Sequence, residues 1–398
     1  MPTDKDKLLD VLNTLAVRIG DASVHLEDAG KSLGRCAASI HDICDIIEDM
    51  GPPPVPVDPP PVNPPSSSNR PQSSLGTGCY VVGRNMYDGN GKLFTLRGTN
   101  KCHQDVQSPA LGQTASNATR WIAMQEPWIP YTAQGFIARM QDAGTGGTTH
   151  NKCIQIPGCW DGTCKEDRAS FDAIIKRWLP DMQLYQAQCE RWMILNPANE
   201  WGGSDADWRD AYIAAIPKLR ASGWHGCIMV DAPKCGQNGM AIVNQGAAIL
   251  DADPERNVCF SWHIYGMVYD SYGGIPKAWN EQIDLVPTMD ALRATGLCVV
   301  IGEFGPGENI GGSPTMLKPE RVITLAEHSG FGWLSWSWDD NNAANSTAVE
   351  PTFSHLFDHK KSVLGANQTK YGTKIVQYWL DYAIKATVFD NGALLPGD

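Results

Sequence analysis

The sequence has no apolar run approaching the roughly 18 residues that a membrane-spanning helix needs. It has no surplus of positive charge either. Its 32 basic and 44 acidic residues leave a net charge of -12, which speaks against nucleic acid or an anionic membrane as the main partner. No C-x2-C pair and no H-E-x-x-H run occurs, so nothing points to a zinc site, and no metal or cofactor is expected. No Gly-rich loop follows the first strand candidate, which removes the usual phosphate-cradling turn. The start, Met1-Pro-Thr-Asp-Lys-Asp-Lys, is not followed by an apolar core and does not read as a secretory leader. Twelve cysteines are too few for a disulfide scaffold at this length. Most read as small buried residues, and Cys159-x4-Cys164 could close a small loop in an oxidising compartment.

What is present falls into three compositions. In residues 1–50, Leu8, Leu12, Leu15, Ile19, Ala22, Leu26, Ala29, Leu33, Cys36, Ile40, Ile43, Ile47 and Met50 recur at alternating spacings of four and three. That 3.5-residue period predicts a coiled coil and self-association. A helical hairpin broken at Gly20 or Gly30 is the competing reading. Residues 51–76 are dominated by Pro and then Ser, which predicts an extended spacer. Residues 77–398 alternate apolar strand-like runs with helical patterns. Residues 80–82 and 93–96 flank Asp88-Gly-Asn-Gly, a hairpin signal. Core strands are expected at residues 94–98, 118–124, 152–156, 192–196, 227–230, 259–263, 298–301 and 332–336. Helices are expected at residues such as 170–189, 207–221 and 289–295. Eight such β/α units suit a (β/α)8 TIM barrel. An open doubly wound sheet is the alternative.

In a barrel, reactive groups sit at the carboxyl ends of the strands. The fourth candidate runs into Asn199-Glu200-Trp201, the sixth ends Trp262-His263-Ile264-Tyr265, the seventh Gly302-Glu303-Phe304-Gly305 and the eighth Ser335-Trp336-Ser337-Trp338. Two carboxylates thus reach one face with His, Tyr and Trp beside them. Paired carboxylates are what glycosidic bond cleavage needs, one to give a proton to the leaving oxygen and one to meet the sugar carbon. An acidic chain with fourteen tryptophans suits a neutral polysaccharide. A silent carbohydrate-binding barrel has no need of both carboxylates.

Several runs carry a family likeness. They are Phe94-Thr-Leu-Arg-Gly-Thr-Asn-Lys-Cys-His103, Asn199-Glu200-Trp201, Met229-Val-Asp-Ala232, Phe260-Ser-Trp-His-Ile-Tyr265, Ile301-Gly-Glu-Phe-Gly305 and Gly332-Trp-Leu-Ser-Trp-Ser-Trp338. With them, residues 79–385 resemble glycoside hydrolase family 5, and within it the bacterial endo-β-1,4-mannanases. The resemblance implies an endo-acting, retaining β-glycosidase with Glu200 as general acid/base and Glu303 as nucleophile. It gives supporting roles to Asn199, Arg120, His263 and Tyr265, with Arg120 keeping the nucleophile ionised. It implies a sugar platform at Trp336. Trp201, Trp262, His103 and Trp160 are added as cleft residues, and Trp128 more loosely, from its place after the second strand. Two positions depart from the family. Trp160 stands where a His is expected, and Cys235 where a Trp is expected. Cellulose or a bacterial surface exopolysaccharide is the alternative substrate. A stalk, a spacer and a glycan-cleaving head imply an extracellular or phage-particle setting.

Overall fold

The computed structural model describes residues 70–101, 114–123, 132–144, 152–265, 267–268, 277–278, 285–305, 309–310, 313–314, 319–338, 370–384, 386 and 388. The expected coiled coil and residues 51–69 of the expected spacer lie outside them, as do His103 and Trp128. Residues 70–76, expected to belong to the extended spacer, are instead held against the barrel, with Ser74 buried and Leu75 N donating to Glu255.

Seven parallel strands form one sheet: Arg97–Lys101, Ala118–Ala123, Ile154–Cys159, Ile228–Asp231, Val258–Ile264, Val299–Phe304 and Gly332–Ser335. The last pairs with the first, Trp333 against Arg97 and Ser335 against Thr99. The opposite edges are joined by residues 193–196. Met193 bridges Gln155, Asn196 bridges Gly158, and Leu195 bridges Ile228, all in parallel. This segment donates from Ile194 N to Gln155 O and from Leu195 N to Cys227 O, and Leu195 O accepts from Met229 N. It is the fourth strand of a closed eight-stranded ring.

The strands read as continuous apolar runs because both faces are covered. In Val258–Ile264 every residue is buried. Helices Arg168–Trp178, Asp205–Ala221, Gly239–Asp251, Val286–Ala294 and Pro319–Ser329 alternate with the strands. Three begin on side-chain caps, where Asp167, Ser204 and Asn238 accept from Ser170, Asp207 and Ala241 N–H groups. Gly98 lets the first strand lie against the second, since a Cβ there would stand 1.9 Å from Ala118 O. Among the described residues no helix is long and apolar enough to cross a membrane.

Three expectations need correcting. The hairpin partner of Tyr80–Val82 is Asn85–Tyr87. The Asp88 turn instead joins Tyr87 to Leu93, with the Asp88 carboxylate accepting from Asn90 and Lys92 N–H groups. The first strand begins at Arg97, three residues late. Residues 170–189 are not one helix: Pro180 has no N–H to give, and a 3-10 turn at Leu179–Asp181 separates Arg168–Trp178 from Met182–Gln188.

The chain enters the barrel on the side of the strands' amino ends. Glu190, just ahead of the fourth strand, accepts from Thr77 N, Thr77 Oγ1 and Gly78 N. Glu255, ahead of the sixth, accepts from Leu75 N. Asn257 brackets the first hairpin strand through Val81 N and Cys79 O.

Candidate active site

The carboxyl ends of the strands bring together a buried polar layer centred on Arg120. This guanidinium is fully buried. Its Nη1 donates to Glu303 Oε1 at 2.7 Å and Asn100 Oδ1 at 3.0 Å. Its Nη2 donates to Asp231 Oδ2 at 2.8 Å, Asn196 Oδ1 at 3.0 Å and Asn199 Oδ1. Burial works against the charge, but Asp231, Glu303 and Glu200 outweigh it and raise the Arg120 pKa. The charged fork is therefore a permanent part of the site.

Glu303 is the penultimate residue of the seventh strand. One oxygen is held by Arg120, and the other accepts from Tyr265 OH at 2.5 Å. Burial pushes the Glu303 carboxyl up, and Glu200 adds to this, while His263, Arg120 and Tyr265 pull it back. If activity requires ionised Glu303, it falls as pH drops through this raised pKa. Removing the Tyr265 hydroxyl takes away a lowering influence, so Tyr265→Phe should move the acid limb of the rate profile upward. An acid limb left in place or moved downward would contradict that account.

Glu200 lies just past the fourth strand in left-handed backbone, φ 51°, where a residue with a Cβ is held only by its surroundings. Its N–H donates to Asp231 Oδ2 at 3.1 Å, and its carbonyl accepts from Cys164 N at 3.2 Å. Its Oε1 stands 2.8 Å from His263 Nδ1. His263 is fully buried and seated between two glycines. A Cβ at Gly236 would stand 2.5 Å from the ring, and one at Gly302 3.0 Å from Nε2. Burial lowers its pKa against the raising effect of Glu303 and Asp231, so the neutral imidazole is favoured. One ligand atom each from Glu200, His263 and Glu303 falls within a 4.8 Å group. That cluster could meet a cation, but both Glu303 oxygens already have donors and one donor is charged.

Asn199 donates from Nδ2 to Thr163 Oγ1 at 2.9 Å. Trp336, 4 % exposed, stacks on Trp160, with ring centroids 5.2 Å apart at 23°. Tyr265 also packs on Trp336. Trp160 is half-buried and is the more open indole of the two. Neither indole N–H has an acceptor.

Trp201 and Trp262, expected in the cleft, belong to the core instead. Trp201 is fully buried against Phe171, with Nε1 donating to Asp167 O. Trp262 is fully buried, with Nε1 donating to Gln237 O. The anticipated Cys159–Cys164 loop does not form. Cys164 is joined to Cys235, and the free Cys159 thiol is pushed up to about 12 by burial. Sequence reading missed Asp231, Asn196 and Asn100 as partners of Arg120. Asp231 ends the fifth strand, so the strand-end rule that found the two glutamates would have found it too.

The family model described as cellulase (glycosyl hydrolase family 5) matches residues 160–342. A mannan endo-1,4-beta-mannosidase of Salipaludibacillus agaradhaerens is 30% identical over 307 residues, 75% of this chain and 91% of that protein. One of Streptomyces lividans is 29% identical, covering 69% of each. The beta-mannanase structure from Streptomyces thermolilacinus aligns with TM-score 0.63 and 25% identity over 79% of this chain and all of that one.

Proposed function

The chain belongs to glycoside hydrolase family 5, and from that premise we propose that it cuts internal β-1,4 bonds of mannan or glucomannan with retention of configuration. It is an endo-acting β-glycosidase. Glu303 is the nucleophile and Glu200 the general acid/base. The observation that carries this is the pair itself: oxygens of Glu200 and Glu303 within 4.8 Å, near the roughly 5 Å of retaining enzymes and short of the gap that inversion needs for a water.

In the first step a Glu303 oxygen bonds to the anomeric carbon. The bond to the leaving oxygen breaks, and Glu200 delivers its proton there. In the second step Glu200 takes a proton from water, the water oxygen bonds to the same carbon, and Glu303 is released. Arg120 and Tyr265 fix the attacking carboxylate, and His263 and Asp231 fix Glu200. Asn199 is the residue assigned to the sugar 2-hydroxyl. Trp160, the more open indole, offers a sugar its face, with Trp336 behind it.

Mannan is favoured by the relatives' activity. The two departures, Trp160 and Cys235, favour a second reading in which the glycan is cellulose or a bacterial surface exopolysaccharide. Product release from glucomannan, galactomannan, cellulose, xylan and bacterial exopolysaccharides, with Glu200→Gln as the blank, decides between them. Release from the mannans alone supports the first reading. Release from an exopolysaccharide alone discards mannan and keeps the mechanism.

Residues 1–50 as an oligomerising coiled coil and 51–69 as a spacer complete the proposal, in an extracellular or particle-borne setting. Deleting residues 1–69, which spares the anchored Leu75, should leave specific activity on short soluble substrates unchanged and reduce the number of chains per particle measured by light scattering. An unchanged number of chains would refute the stalk.

A further inference from the structure

The loops after the third, fourth and fifth strands are laced to one another around Glu200. Cys164 N donates to Glu200 O at 3.2 Å, Gly202 N to Lys165 O at 2.9 Å, and Lys234 N to Gly202 O at 2.7 Å. The Cys164–Cys235 disulfide ties the two outer loops directly across 71 residues of sequence. Four non-glycine residues of this lacing hold left-handed backbone: Cys164, Glu200, Lys234 and Cys235. Such conformations cost on the order of 1–3 kcal/mol each and persist only where neighbours enforce them. The Cys164 sulfur is 3.8 Å from Glu200 Oε2. On the other side of the bridge, Gly236 O accepts from His263 N at 2.9 Å, and Gly236 packs on the imidazole that meets Glu200 Oε1.

We propose that the Cys164–Cys235 disulfide is a positioning element for the acid/base, making this glycosidase's proton-donating step dependent on an oxidising environment. The inference rests on the reading of Glu200 as acid/base. The two cysteines replace no catalytic group. They fasten the backbone on both sides of one, so opening the bridge loosens Glu200 and His263 together and leaves Glu303, held by Arg120 and Tyr265, in place. Reduction by dithiothreitol breaks the S–S bond to two thiols, the reagent becoming its cyclic disulfide. The buried free thiols Cys79, Cys159, Cys189, Cys259 and Cys298 are pushed up by burial, with a hydrogen bond from Cys227 foremost at Cys259, and react slowly with alkylating reagents.

The test compares two leaving groups in the full-length protein. Values of kcat/KM report the first chemical step. β-Mannan needs a proton on its leaving oxygen, whereas a 2,4-dinitrophenyl β-mannobioside does not. In Cys164→Ser/Cys235→Ser, kcat/KM on mannan should fall about tenfold or more, while on the aryl substrate it changes by less than about twofold. Dithiothreitol should reproduce this selective loss in the wild-type protein and do nothing further to the variant. Equal losses on both substrates, or none on mannan, would overturn the proposal. Glu200→Ala is the control. If it loses both substrates equally, the acid/base reading falls and the positioning role with it.

Discussion

Replacing Glu303 with alanine is expected to lower turnover by at least about 10⁴-fold, because in the proposed mechanism its carboxylate is the group that bonds to the anomeric carbon. The fold should survive. Arg120 keeps its ion pair with Asp231 at 2.8 Å and its bonds to Asn100, Asn196 and Asn199, so no buried cation is stranded. Azide makes the assignment stereochemically explicit. With an activated aryl glycoside, azide entering the space vacated in Glu303→Ala should give the α-glycosyl azide by direct displacement. In Glu200→Ala, azide attacking the glycosyl-enzyme should give the β-azide. Reversed products would exchange the two roles, and normal turnover in Glu303→Ala would sink the mechanism.

Arg120→Met is expected to cost stability as well as rate. Two carboxylates, Asp231 and Glu303, would lose their buried cation, and three asparagine oxygens would lose a donor. Breaking a buried pair in this way typically costs roughly 3–5 kcal/mol, readable as a shift of the urea midpoint. Arg120→Lys returns the charge without the planar fork and should recover only part of the loss. Arg120 also pulls the Glu303 pKa down. The acid limb of residual activity should therefore move upward, in the same direction as for Tyr265→Phe. A midpoint shift equivalent to less than about 1 kcal/mol would mean that water or relaxation neutralises the layer, and that Arg120 is not its keystone.

The ring of strands was readable because parallel strands covered on both faces appear as apolar runs. Reading their last residues led to both glutamates, His263 and Tyr265. Where the reading failed, the cause differs from case to case. Trp262 precedes the inward His263, and the two-residue period of a strand sends it to the opposite face, so its placement among the helices was available and overlooked. Trp201 follows Glu200, whose left-handed backbone turns the chain away from the cleft, and no local pattern announces φ 51° at a glutamate. The Cys164–Cys235 pairing joins loops that are neighbours only once the barrel closes, and spacing along the chain favoured the shorter Cys159–Cys164 loop. Asp231 required knowing that a strand-end carboxylate can serve a neighbouring cation and an amide rather than the substrate.

The fastening of Thr77 and Gly78 to Glu190, and of Leu75 to Glu255, has a practical consequence for display. These anchors lie at the amino ends of the strands, while Glu200 and Glu303 lie at the carboxyl ends. A bead, a surface or a fused carrier joined directly at Arg70, with residues 1–69 removed, therefore meets the barrel on the side away from the carboxylates. Immobilised in that orientation, the enzyme keeps its cleft turned toward incoming polymer, and a long chain can thread through without first clearing its own support.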